Sequence, residues 1–370
     1  MRSRTDSSKS ARSQSVTELN KPGDYVLSAA TETQKPLEIQ NPVVHAIKEK
    51  LKPLDLVTED TGEEKASCLG PREFKDGSIY VGSWLEDVRH GYGKHLWENG
   101  TYLEGIWENG KVHGLGRVIY PNGDYYEGKF ELNMYEGEGL YVWADGSSYK
   151  GNWKADLQDG MGTLTSADGS TYTGNFEGGM KHGEGNLIMK DGSTYVGRFW
   201  KNCFGGQGVY TWPDGRKYEG KYGYGQKSTG KFTWPSGASY NGDFEDDLFS
   251  DEGTYQWPDG SVYMGRWRRG MKHGYGEYKK ANGVSYKGEW YNDLQHGKGV
   301  FINAQQVEQY GTWEKGKLIA WGEKQEEEQP VQNEPERKYS DSSCNSNPPQ
   351  VQIQQRRDSL SSDSLSSGSW

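Results

Sequence analysis

Five of the seven histidines in this 370-residue chain recur at one spacing: His90, His113, His182, His273 and His296. Each lies eight residues after a glycine, so they form a periodic row. A row of imidazoles suggests metal binding. Strands of successive hairpins, however, put equivalent residues roughly 10 Å apart, whereas Zn²⁺ ligands must converge within about 2.1 Å of one ion. No Ser, Cys or Asp accompanies the row consistently, so a nucleophile–base pairing has no support either. We therefore expect a loop role, with the rings bonding the turn backbone, and no metal. The stretch Gly220 to Ser228 has a faint likeness to a phosphate loop, with Lys227 after Gly225. The spacing carries one residue too many and the strand–loop–helix context is missing, so no nucleotide or other cofactor is expected.

The elements behind this row are set by the glycines. Anchor glycines stand at Gly82, Gly105, Gly128, Gly151, Gly174, Gly197, Gly220, Gly242, Gly265, Gly288 and Gly311, 23 residues apart except for one step of 22 between Gly220 and Gly242. Counting the anchor as zero, a Tyr sits at −2 in most repeats, an aromatic at +2 in all, paired glycines at +9 and +11, and apolar residues at +13 and often +15. Asp-Gly or Asn-Gly closes the repeat. Residues −2, 0 and +2 share one face of a strand, and polar residues such as Lys150, Asn152 and Lys154 take the other. Asp-Gly and Asn-Gly suit the positive φ of tight hairpin turns. The repeat thus predicts a β-hairpin, and the period an array.

The pattern Y-x-G-x-W/F, G-x-G, aromatic strand and D-G resembles the MORN repeat family over about Gly70 to Gly322. The expected fold is all-β: an elongated single-layer antiparallel sheet of stacked hairpins, about 11 repeats plus terminal half-repeats, in residues 67–322. At ~4.8 Å per strand the array would run roughly 100 Å. Rings covering neighbouring glycines would supply its core. Composition agrees: only 32% of residues are AVILMFWYC, whereas 13% are aromatic and 52 are Gly.

Residues 1–66 are polar and are expected to be mostly disordered, with a short helix over 42–51. Asn41 would cap it, Pro42 would open it, and Val44, Ile47 and Leu51 form a stripe. The helix either docks on a partner or on the open end of the array, or forms transiently in a tail; we favour the transient helix. Residues 323–370 are acidic and Ser-rich, and are expected to be a disordered tail. There Arg356-Arg357 before Ser359 resembles a basophilic kinase site, which makes Ser359 a candidate phosphosite. The array starts with a half-repeat near Gly70. The repeats after Gly220 and Gly242 are irregular, with Ser228 and Asp251 in place of the first paired glycine, and suggest a local bend or altered twist.

Net charge is −10, and residues 71–322 carry 28 basic and 33 acidic side chains. That balance argues against nucleic acid as a partner. No small-molecule substrate is implied. Cys68, Cys203 and Cys344 match no metal or redox spacing. The start has no secretory character and no apolar run spans a membrane, so the expected location is cytoplasmic. Charge is locally segregated: an acidic block from Asp243 to Glu252 precedes Arg266, Arg268, Arg269 and Lys272. That basic patch could dock an acidic partner or an anionic lipid headgroup, or be neutralised by neighbouring repeats. At the C-terminal edge, Leu318, Ile319 and Trp321 would either pair with a second copy or a partner strand, or fold back over the rings.

The resemblance implies a non-catalytic structural scaffold that assembles proteins in the cytoskeleton, in a cilium or axoneme or at the cell cortex. It also implies a homodimer through C-terminal repeats. The alternative it implies is a peripheral membrane protein binding phosphoinositide headgroups at the plasma membrane. MORN arrays also precede lipid-kinase and lysine-methyltransferase domains. The 48 residues after this array leave no room for one, so no enzyme is expected. A regulatory subunit of a lipid kinase is the remote remaining link.

Overall fold

The computed structural model describes residues 37–54 and 67–322. They form one helix, α1 (Pro42–Lys50), and 23 strands. The chain divides into two units, Met1–Lys190 and Asp191–Trp370. The first holds α1 and β1 (Ser67–Glu73) through β11 (Met180–Ile188), and the second β12 (Thr194–Trp200) through β23 (Lys317–Gly322). Within each unit every strand pairs antiparallel with the next in sequence. Anchor glycines face paired glycines across the ladder, as in Gly151↔Gly162 and Gly265↔Gly276.

Two kinds of turn alternate, and their chemistry differs from the sequence expectation. The tight turn is the variable one at +4 and +5, where both residues take positive φ: Leu132 (52°) and Asn133 (75°), or Ala155 (47°) and Asp156 (67°). Such pairs make a two-residue type I′ hairpin, whose twist matches the strands. In the Asp-Gly turn only the glycine has positive φ, as at Gly146 (87°). The acidic side chain serves differently: Asp145 accepts from the Ser147 amide at 2.8 Å, and Asp168 from the Ser170 amide at 2.9 Å. This is an Asx cap on a longer turn.

After each tight turn the ladder bulges. Gly174 faces Gly185, yet Phe176 faces Lys181, so the second strand carries extra residues around Gly183 (φ 64°). The irregular repeats keep their pairing by adjusting this bulge. After Gly220 it is one residue smaller, with Gly220↔Gly230 and Tyr222↔Lys227. After Gly242 it keeps its size, because Asp251 adopts the glycine-like φ of 47°. At the start, Leu69 rather than Gly70 faces Gly82, through a register shift between Leu69 and Arg72 that spans Pro71. Proline has no amide to give the ladder, which explains the slip.

The core is one face of the strands, filled by its own rings. Within each unit the −2 tyrosines meet the +2 ring of their own repeat and that of the next edge-on: Tyr149 to Trp153 at 5.1 Å and to Phe176 at 4.9 Å. In the second unit Tyr263 repeats this with Trp267 at 5.0 Å and Trp290 at 5.4 Å. The tyrosine hydroxyl donates to the carbonyl of the +1 residue, as Tyr126 to Lys129 and Tyr218 to Lys221, both at 2.8 Å. These side chains are buried although, among the described residues, no second sheet covers them. Edge-to-face rings gain about 0.5–1.5 kcal/mol per pair beyond area burial.

The helix packs on the sheet, and not on the open end of the array. Asn41 accepts from the amides of Val43 and Val44, and Pro42 opens the first turn. Val44 is fully buried against Tyr102 and Ile119, with Ile47, Leu51, Leu96 and Tyr125 around it. Those strand residues lie on the outer face, opposite the rings. That face is polar in most repeats and apolar here, so α1 has something to cover.

Candidate functional site

The histidine row lies on strands, not in loops. His113 Nε2 is 3.8 Å from Glu108 and His182 Nδ1 is 3.3 Å from Glu177, so each reaches a +3 carboxylate of its own hairpin. His273 and His296 flank the Tyr291 ring at 5.2 and 5.8 Å. Among the described residues no group of His, Cys, Asp and Glu could hold a metal ion. The phosphate-loop-like stretch is a hairpin of β14 (Lys217–Gly223) and β15 (Gln226–Thr233). Its lysine faces Tyr222 across the ladder. Lys227 is completely buried and bonds Asp247 at 2.7 Å.

The basic patch is divided by the sheet. Arg266, Arg268 and Arg269 are exposed, Arg269 within a tight turn (φ 49°). Arg266 Nε donates to Glu252 at 3.1 Å, an exposed pair of little energetic weight. Lys272 faces Trp267 across the ladder and so lies on the ring face. Its ammonium is 4.4 Å from the Trp290 ring and 5.4 Å from Tyr278. The structure brings together three arginines, not four cations.

At the C-terminal edge the side chains separate as well. Leu318 and the Trp313 ring cover Gly311, where a Cβ would meet Leu318 at 2.9 Å. Leu318 thus replaces the −2 tyrosine, which here is Gln309. Trp321 contacts Trp313 edge-on at 6.1 Å. Ile319 stays 61% exposed. Among the described residues β23 pairs only with β22 (Glu308–Glu314), and its other edge is open. Ser359 lies outside the described residues.

Two features escape the sequence reading. Position +7 faces the +2 ring, so its side chain enters the ring face even when charged. Arg89 stacks on Trp107 at 4.2 Å and donates to the Gly110 carbonyl at 2.9 Å. Its Nη1 also lies 2.9 Å from Nδ1 of the buried His95, itself stacked on Trp97 at 4.0 Å. Burial, then the nearby arginine, hold His95 well below 6.5, so it is neutral. Lys181 and Lys227 take the same position, and burial lowers both ammoniums. The signal was the strand parity of +7, hidden by the variable tight turn that precedes it.

The second feature is an ion network beneath α1. Arg117 is buried between Glu104 at 2.9 Å and Glu127 at 2.6 Å, and also donates to the Lys52 carbonyl at 2.7 Å. Tyr102 donates to Glu104 at 2.7 Å. Here the outer face of the first unit holds a helix by an apolar cluster and fixes the chain after it by one guanidinium.

The MORN repeat family model matches ten consecutive segments between residues 80 and 305, more than half of the chain. The chain belongs to the MORN-repeat family. No curated protein matches it. Among solved structures, the zebrafish (Danio rerio) CPAP TCP10 domain in complex with a STIL peptide is similar at 13% identity. It covers 68% of this chain and 97% of its own, with a TM-score of 0.33. The Drosophila melanogaster SAS-4 TCP domain with a proline-rich motif of Ana2 is similar at 15% identity, covering 42% and 85%, with a TM-score of 0.27. The CPAP G-box domain follows at 13%, 54% and 100%, with a TM-score of 0.31. At these scores the likeness carries no argument about function. A MORN array is a non-catalytic repeat module that scaffolds protein or membrane interactions, and this chain contains ten matched copies.

Proposed function

We propose that this MORN-repeat protein is a non-catalytic scaffold that assembles other proteins in the cytoskeleton, in a cilium or axoneme or at the cell cortex. One observation carries the reading: the ring face is filled by its own side chains, so contact falls to the outer face and the edges. The outer face mixes both signs of charge, as in the Arg266–Glu252 pair, and holds a helix over β3 (Val88–Leu96) to β6 (Tyr125–Glu131). Such a surface selects protein partners by local fit rather than attracting an anionic membrane by net charge. Assembly through the open edge of β23, with a second copy or a partner strand, belongs to the same reading.

Phosphoinositide headgroups are the second reading, and the exposed Arg268 and Arg269 favour it. The test of the first is cell fractionation with a tagged full chain in a ciliated cell type. Retention with the detergent-insoluble cytoskeleton is expected. Complete release with the soluble or membrane fraction would overturn it.

A further inference from the structure

The outer face over β3 to β6 is larger than the element that occupies it. A cavity of about 230 Å³ remains beside α1, lined by Leu37, Ile39, Lys48, Val81, Lys94 and Tyr102, with Pro71 at its rim. Two ammoniums stand on its wall. Lys48 lies 5.7 Å from the Tyr102 ring and Lys94 lies 5.9 Å from Tyr92. Among the described residues neither has a carboxylate within ion-pair distance.

The occupant is short. A helix of nine residues is marginal by itself, and α1 buries only Val44 completely, while Val43 is 44% exposed. Few buried contacts place an element at the low end of local stability, so α1 opens before the strands beneath it. Opening would uncover Leu96, Tyr102, Ile119 and Tyr125, together with the guanidinium of Arg117, which now holds the Lys52 carbonyl.

We propose that this face is a helix-docking site, that α1 is its intramolecular occupant, and that the partner it fits is an amphipathic helix with bulkier apolar residues and carboxylates. The apolar stripe would replace Val44 and Ile47, its bulkier residues would fill the space left beside α1, and the carboxylates would meet Lys94, which stays on the sheet when α1 leaves. This rests on the scaffold reading and names one of its docking sites.

The probe is a labelled peptide of residues 37–54, titrated against the full chain. Two variants open the site: Val44→Asp, and Asn41→Ala with Pro42→Gly, which weakens the helix start without touching a strand. Thermal melting of the strands confirms that each variant remains folded. The peptide is expected to bind both variants about tenfold or more tighter than the wild-type chain, whose site is already filled. A peptide carrying Lys48→Glu is expected to bind tighter than its parent, because its carboxylate meets Lys94. Equal binding to wild type and variants, or no saturable binding to either variant, would overturn the docking site. Weaker binding of the Lys48→Glu peptide would overturn the acidic partner. Fractionation is indifferent to these titrations, so the two ideas fail separately.

Discussion

Tyr149 roofs Gly162. Its hydroxyl donates to the Asn152 carbonyl at 2.9 Å, and a Cβ placed on Gly162 would lie 2.4 to 2.5 Å from its ring and hydroxyl. The same relation joins Tyr195 to Gly208 and Tyr263 to Gly276. The tyrosine and the paired glycine are therefore one device: the ring needs a strand without a side chain, and the bare backbone needs a ring.

Gly162→Ala is expected to cost about 3 kcal/mol, the upper range for overpacking a filled site. Tyr149→Phe keeps the ring and loses one hydrogen bond, at about 1 kcal/mol. With Tyr149→Ala already in place, Gly162→Ala should cost much less, because the clash is gone. Chemical denaturation of the wild type, the three single variants and the double variant checks this. Additive losses would separate the two residues.

Lys227 is a fully buried, ion-paired cation of the second unit. Replacing both partners together, Lys227→Met with Asp247→Asn, should be near neutral, since a buried ion pair barely offsets its desolvation. Asp247→Asn keeps a residue able to hold the turn's positive φ (62°) and strands the lysine, at about 3–5 kcal/mol. The sign with pH follows from the lowered ammonium. Between the lowered folded value and the ordinary 10.5 the unfolded chain binds more protons than the folded one, so the loss in Asp247→Asn should shrink as pH rises through that window. A loss independent of pH would contradict a charged, stranded Lys227.

Much of this was legible because the signals are local. The 23-residue period, the −2 tyrosine and the paired glycines are set by strand parity, and parity survives in sequence. The inward cations were not legible, because Arg89, Lys227 and Lys272 follow a tight turn whose two positive-φ residues include Glu86 and Arg269. Without a glycine or asparagine pair to mark that turn, the face of +7 was undetermined. The docking of α1 was half visible. Asn41, Pro42 and the Val44–Ile47–Leu51 stripe were read, but the apolar outer residues Leu96, Tyr102, Ile119 and Tyr125 come from four strands and only converge in the sheet.

Alkali should unfold the ring face. Burial raises the hydroxyls of Tyr149, Tyr172, Tyr218, Tyr263 and Tyr286 above 10.0. Their contribution is fully present below pH 10.0 and is lost as pH rises above it, because the unfolded chain releases these protons first. Tyrosinate absorbance and near-UV dichroism, followed together, should change in the same cooperative steps. Ionisation of these tyrosines near pH 10 with the dichroism intact would contradict their burial.

The open edge of β23 is expected to associate. Exposed edges invite another strand, and a lysine on the edge discourages it. Light scattering should show the full chain self-associating at tens of micromolar and the Ile319→Lys, Trp321→Lys chain as a monomer. A monomeric wild type would contradict self-association, and an associating variant would place the contact elsewhere.

The choice between protein scaffold and lipid binder is tested most directly by co-sedimentation of the full chain with phosphoinositide-containing vesicles across a salt series. Each basic residue near an anionic surface contributes about 1 kcal/mol, and among the described residues the Arg266, Arg268 and Arg269 cluster offers several together. For a scaffold, the chain should stay in the supernatant at physiological salt, with or without those arginines. Tight, salt-sensitive pelleting that disappears in Arg266→Glu, Arg268→Glu, Arg269→Glu would contradict it.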